Sequence, residues 1–140
     1  MFLTKSYLKQ VKLLDMKISL MIDEISRLRL IITKITPTLT DDAGFGGSSQ
    51  DKLGSTISKI IDLENELNDN IDSYIDIKTE ILHAMQQLSD PEEYGCLYKR
   101  YFEFKTWDQI AEELHMTSRN ACNVHGKALI DFQKILENKG

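Results

Sequence analysis

Val11, Leu14, Ile18, Met21, Ile25, Leu28, Ile32 and Ile35 follow one another by steps of three and four residues without a break. Such a seam puts every one of these side chains on one stripe of an α-helix, and a stripe of this length demands another helix to cover it. Tyr7 extends it backwards. A long helix is therefore expected within residues 1–36, running from Thr4 to Ile35. Thr36 and Pro37 should end it, because the residue before proline avoids the helical region. Leu13, Leu20, Ile22, Leu30 and Ile31 lie off the seam, so the helix should meet more than one neighbour.

A second frame appears further on. Ile57, Ile60, Leu67, Ile71, Tyr74, Ile81, Met85 and Leu88 share one heptad register, whose remaining core positions hold Glu64 and Lys78. Polar residues there lower stability but help to fix register and partner. A second long helix is expected from about Thr56 to Leu88, within residues 56–90. Between the two, residues 37–55 are rich in Gly, Ser, Thr and Asp and read as a loop. The GFGG inside it has neither a preceding strand nor a Lys-Ser/Thr pair, so it is not a phosphate-binding loop.

Charge supports pairing of the two helices. Residues 1–36 carry seven Lys/Arg against three Asp/Glu, and residues 37–90 carry three against eleven. An antiparallel hairpin within the chain is the simplest arrangement, and a homodimer through the long helices is its rival. The acidity lies in the middle of the chain, because residues 91–140 are close to neutral, with seven basic and eight acidic residues.

The most specific signal comes last, in the third expected region, residues 91–140. Asp90 suits an N-cap, Pro91 the first helical position, and Glu92 and Glu93 the positive end of the helix dipole. Tyr94, Leu97, Tyr98, Tyr101 and Phe102 then make one aromatic-rich face, read as core rather than as a base-stacking platform. Lys99 and Arg100 lie off that face and are candidates for phosphate contact or, equally, solubilising surface charges. Thr106 and Gln109 form a capping-box pattern for a helix starting at Trp107, with Ile110, Ala111 and Leu114 inward. After His115 and Met116, Thr117 can cap a further helix starting near Ser118, whose inner face is Ala121, Val124, Ala128, Leu129 and Phe132. Two short helices joined so tightly suit the sharp crossing of a helix-turn-helix. The second of them presents Ser118, Arg119, Asn120 and Asn123 outward, with no acid before Asp131. Arg and Asn make bidentate bonds to guanine and adenine edges, and Ser and Thr suit phosphate oxygens.

The run IAEELHMTSRNACNVHGKAL, with YKRYFEFKTW before it, resembles the last helix-turn-helix of bacterial sigma factors, the region that reads the upstream promoter element. The chain as a whole is similar to small regulatory proteins of phages and prophages of Gram-positive bacteria, related to phage late-transcription activators. The resemblance implies an all-α transcription regulator that binds double-stranded DNA and contacts RNA polymerase. Motif position and side-chain chemistry then assign base reading to Arg119, Asn120 and Asn123. Thr117 and Ser118 are assigned phosphate contact and capping, and Lys127 phosphate contact. Two departures stand out. His115 occupies the turn position where such motifs place Gly, and Ala121 the position where a larger aliphatic side chain packs, which implies a less tightly packed or partner-stabilised motif.

Other chemistries find little support. Cys96 and Cys122 form no CxxC, and the Cys122/His125 pair lacks further ligands on the same element, so no metal and no cofactor is expected, and His125 is placed at the helix surface or on a phosphate. No HExxH or triad context suggests an enzyme. No run approaches the ~18 apolar residues of a membrane span, and the start lacks an apolar signal region, so a cytoplasmic protein without a membrane partner is expected. Two alternatives to a DNA-binding regulator remain open: a coiled-coil interaction or assembly protein, and a DNA-packaging recognition subunit.

Overall fold

The computed structural model describes residues 2–41 and 46–139. They form five helices and no strand: α1 (Phe2–Asp41), α2 (Gly46–Met85), α3 (Pro91–Tyr101), α4 (Trp107–Glu113) and α5 (Ser118–Lys139). The fold is all-α, as the two heptad frames and the capped helices require.

Neither long helix keeps its expected limits. α1 continues through Pro37 to Asp41, and α2 starts at Gly46, so residues 37–41 and 46–55 of the expected loop are helical instead. Proline disfavours a preceding helical residue without forbidding it. In the turns before it, the hydroxyls of Thr33 and Thr36 donate to the carbonyls of Arg29 and Ile32. At the other end the inward face of α2 reaches back to half-buried Leu53 and Thr56, so packing supports the helix from Leu53 onward. Gly44 and Phe45 of the GFGG tract lie outside the described residues. α2 also stops at Met85, short of Leu88.

The chain divides into two compact units, Asp15–Ser73 and the remainder, residues 1–14 with 74–140. In the Asp15–Ser73 unit the two helices pair antiparallel within one chain. Asn70 Nδ2 donates to Met21 Sδ at 3.0 Å, and Arg29 and Glu64 form an ion pair at 3.1 Å, so the partner number falls as the first rises. Ile25 and Ile60 are the buried centre of this pair. Glu64, a polar residue in a core register, is half-buried and spends its charge on Arg29 across the seam.

The other unit is more deeply packed. Its core joins Leu8 and Val11 of α1, Ile81, Ala84 and Met85 of α2, Leu97, Tyr101 and Phe102 around α3, and Ala128, Leu129 and Phe132 of α5. The helical module at the C-terminus is therefore not bounded at residue 91. The inner face of α5 needs more apolar cover than α3 and α4 supply, and the ends of the long helices provide it. The aromatic face of α3 is core: Tyr101 and Phe102 are buried, while Tyr94 and Tyr98 pack against them half-buried.

Candidate nucleic-acid interface

α3, α4 and α5 are held at their ends by the side chains the sequence placed there. Asp90 accepts the Glu92 amide at 2.9 Å with Pro91 in the first turn of α3. At α4 the capping box is complete: Gln109 N donates to Thr106 Oγ1 and Thr106 N donates to Gln109 Oε1. Thr117 Oγ1 accepts the Asn120 amide at 3.0 Å and so caps α5.

The turn between α4 and α5 is a Schellman closure. Met116 N donates to Ala111 O at 2.9 Å and His115 N to Glu112 O at 3.3 Å, while His115 adopts φ 58. This is the left-handed position that glycine usually fills, because an L side chain there costs roughly 1–2 kcal/mol. The motif keeps its geometry with His in place of Gly. Met116 then packs back onto the cluster of Cys96, Ile110, Ala111 and Ala121, the hydrophobic contact that accompanies such closures.

Ala121 is fully buried, and α3 approaches it closely. Cys96 Sγ lies 3.9 Å from Ala121 O, and Gly95 lets Leu114 approach so closely that a Cβ there would sit 3.3 Å from Leu114 Cδ2. Trp107 and Val124 close the periphery of the cluster.

Of the proposed contact residues, Arg119, Asn120, Asn123 and Lys127 are exposed and share the outer side of α5. Arg119, Asn123 and Lys127 follow at four-residue steps, so they form one stripe. Neither Arg119 nor Asn123 has a side-chain partner among the described residues. Asn120 Nδ2 lies 3.8 Å from Met116 Sδ, a weak tether. Ser118 is committed elsewhere: its hydroxyl donates to Asp108 Oδ1 at 2.5 Å and ties the first turn of α5 to that of α4. Thr117 is exposed, but its oxygen is engaged in capping.

Lys127 has its own counter-charge. Its ammonium is 3.8 Å from Glu93 Oε2, and Glu93 is 2% exposed. Burial first, then a hydrogen bond and repulsion from Asp131, raise the Glu93 carboxyl to about 7, against a smaller lowering by Lys127. Sequence reasoning missed this cluster, because Glu93 looked like a residue serving the helix dipole alone.

Two basic side chains of α3 are engaged within the module, and one expectation from the sequence, that for His125, is corrected. Lys99 is bound to Glu113 at 2.7 Å, and Lys105 holds the same carboxylate at 2.6 Å, so the ammonium of Lys99 bridges α3 and α4. Arg100 lies over the Trp107 ring at 4.5 Å and donates to Lys105 O. Both side chains lie off the core face of α3, which exposes them to α4 rather than to solvent alone. His125 is buried, not at the surface: its Nε2 is 2.7 Å from Tyr101 OH and its ring 4.6 Å from that of Trp107. Burial, then the charges of Lys5 and Arg100, lower it to about 4, so the imidazole is neutral and its Nε2 shares a hydrogen bond with the Tyr101 hydroxyl. Cys122, by contrast, is exposed. Among the described residues no three His, Cys, Asp or Glu are grouped to hold a metal, and no helix is long and apolar enough to cross a membrane.

Compared with known proteins, the chain matches no family model, no curated protein and no solved structure.

Proposed function

We propose that the chain is a sequence-specific transcription regulator that binds double-stranded DNA, with the first three turns of α5 in the major groove. The observation that carries this reading is the contrast between occupied and unoccupied polar side chains in the module. Lys99, Arg100, Lys105 and Ser118 are each spent on an internal contact. Arg119 and Asn123 stand exposed with none, on the second helix of a tightly closed helix-turn-helix, where base-reading residues are presented. No acid interrupts α5 from Ser118 to Ile130.

The resemblance to sigma-factor modules and phage regulators extends the reading. The protein is phage- or prophage-encoded and works together with RNA polymerase. The near neutrality of residues 91–140 favours such a partner, since phosphate neutralisation supplies most non-specific affinity and few cations are free for it here.

Selection of bound sequences from a random duplex pool, at two salt concentrations, tests this. Wild type should enrich a motif that an Arg119→Ala/Asn123→Ala double variant loses. Absence of enrichment, with no binding even at low salt, would replace it by the interaction-protein reading, which the exposed apolar side chains of the long helices favour.

A further inference from the structure

The Asp15–Ser73 unit is thinly covered. Among its described residues only Ile25 and Ile60 are buried apolar side chains, whereas Leu20 is 61% and Ile31 39% exposed. Leu20, Glu24, Arg27 and Ile31 follow by four, three and four residues. Each precedes a residue of the α2-facing seam (Met21, Ile25, Leu28, Ile32) by one position, which places the set about 100° around α1 from the seam. α1 thus carries two heptad stripes, and α2 covers one.

The second stripe is self-complementary. Read against itself in the opposite direction, it sets Leu20 of one copy beside Ile31 of the other and Glu24 beside Arg27, and two-fold symmetry makes each pairing twice. Glu24 and Arg27 are exposed and have no ion-pair partner among the described residues, unlike Arg29, which is held by Glu64. Beside the stripe a groove lined by Glu24, Leu28, Lys59, Asp62 and Leu63 offers an apolar floor between charged rims. The same alignment brings Lys17 opposite Lys34 of the second copy, at the ends of the contact, where solvent screens them.

We infer that a second copy of this chain docks antiparallel along this stripe of α1, forming a two-fold dimer centred between Glu24 and Arg27. The dimer gives α1 the second neighbour its sequence calls for. It stands independently of the DNA-binding reading.

Sedimentation of the full chain over a range of concentrations tests it. Wild type should show a monomer–dimer equilibrium. Glu24→Arg and Arg27→Glu should each weaken dimerisation by about tenfold or more, because each sets like charges opposite one another twice. The double variant Glu24→Arg/Arg27→Glu exchanges the signs and should recover the wild-type constant. Both positions are exposed, and circular dichroism establishes that each of the three variants is folded. A wild type that stays monomeric overturns the inference, as does a dimer indifferent to the single variants or one the double variant fails to restore.

Discussion

The Tyr101 hydroxyl lies 2.7 Å from His125 Nε2 inside the C-terminal module, and the imidazole is held neutral there, lowered from 6.5 to about 4. Between the same two helices, beside Lys127, Glu93 is raised from 4.5 to about 7. The two groups act on stability with opposite sign. His125 binds fewer protons folded than unfolded, so its contribution is complete above 6.5 and is lost as pH falls toward 4. Glu93 binds more protons folded than unfolded, so its contribution is complete below 4.5 and is lost as pH rises through 7.

Over the overlapping window the two slopes oppose each other, and single variants should separate them. Glu93→Gln should leave stability rising with pH, and His125→Gln should leave it falling, each by up to about 1.4 kcal/mol per pH unit at its steepest. Urea unfolding followed by the emission of Trp107, the one tryptophan in the chain, measures both. Parallel curves for wild type and Glu93→Gln would show that the Glu93 proton is not retained on folding.

His115 supplies a cleaner local test. It holds φ 58 in the closure of α4, and its side chain is exposed. His115→Gly should therefore stabilise the protein by roughly 0.5–1 kcal/mol, the relief of left-handed strain less the added freedom of the unfolded chain. His115→Val should destabilise it by more than that, since a branched side chain is least tolerated at positive φ. Thermal midpoints of the two variants should fall on opposite sides of wild type.

The Thr117 hydroxyl carries the α5 cap, so Thr117→Ala should cost about 1 kcal/mol of stability whether or not DNA is present. Thr117→Ser should restore most of it. If Thr117→Ala unfolds at the same urea concentration as wild type, the cap contributes nothing.

Much of this was legible in the sequence because caps and seams are local or periodic signals. Asp90, Thr106 with Gln109, and Thr117 each act within three residues of themselves, and each caps the helix its position implied. Helix ends without such a signal were less legible. Pro37 and the glycines after it are weak statistical stops, and α1 runs past the first while α2 begins at Gly46. The fates of single polar side chains were the least legible. That Ser118 reaches Asp108, that Lys99 and Lys105 share Glu113, and that His125 turns inward to Tyr101 are all contacts between elements. Helix periodicity had a hint for the last. His125 lies four residues after Ala121 and three before Ala128, on the inward stripe, so its burial follows from that spacing.

The structure separates residues that should change sequence preference from one that should change only affinity. Arg119 and Asn123 are exposed and unengaged, so Arg119→Ala and Asn123→Ala should leave stability within about 0.5 kcal/mol of wild type. On the preferred duplex each should weaken binding by roughly 1–3 kcal/mol and relax selectivity at one or two base positions. Lys127 sits further along the stripe with its charge partly answered by Glu93. Lys127→Ala should weaken binding to preferred and random duplexes alike and reduce the salt slope by about one ion. Titrations of the three variants on both duplexes at several salt concentrations distinguish these outcomes. Because Glu93 shares its proton with Asp131 near neutrality, raising the pH through 7 should draw Lys127 toward α3 and diminish its share. The difference between wild type and Lys127→Ala should then be larger at pH 6 than at pH 8, both values taken about one unit from the Glu93 midpoint. A Lys127→Ala effect that is confined to the preferred duplex would instead make Lys127 a base-reading residue and shift the readout one turn along α5.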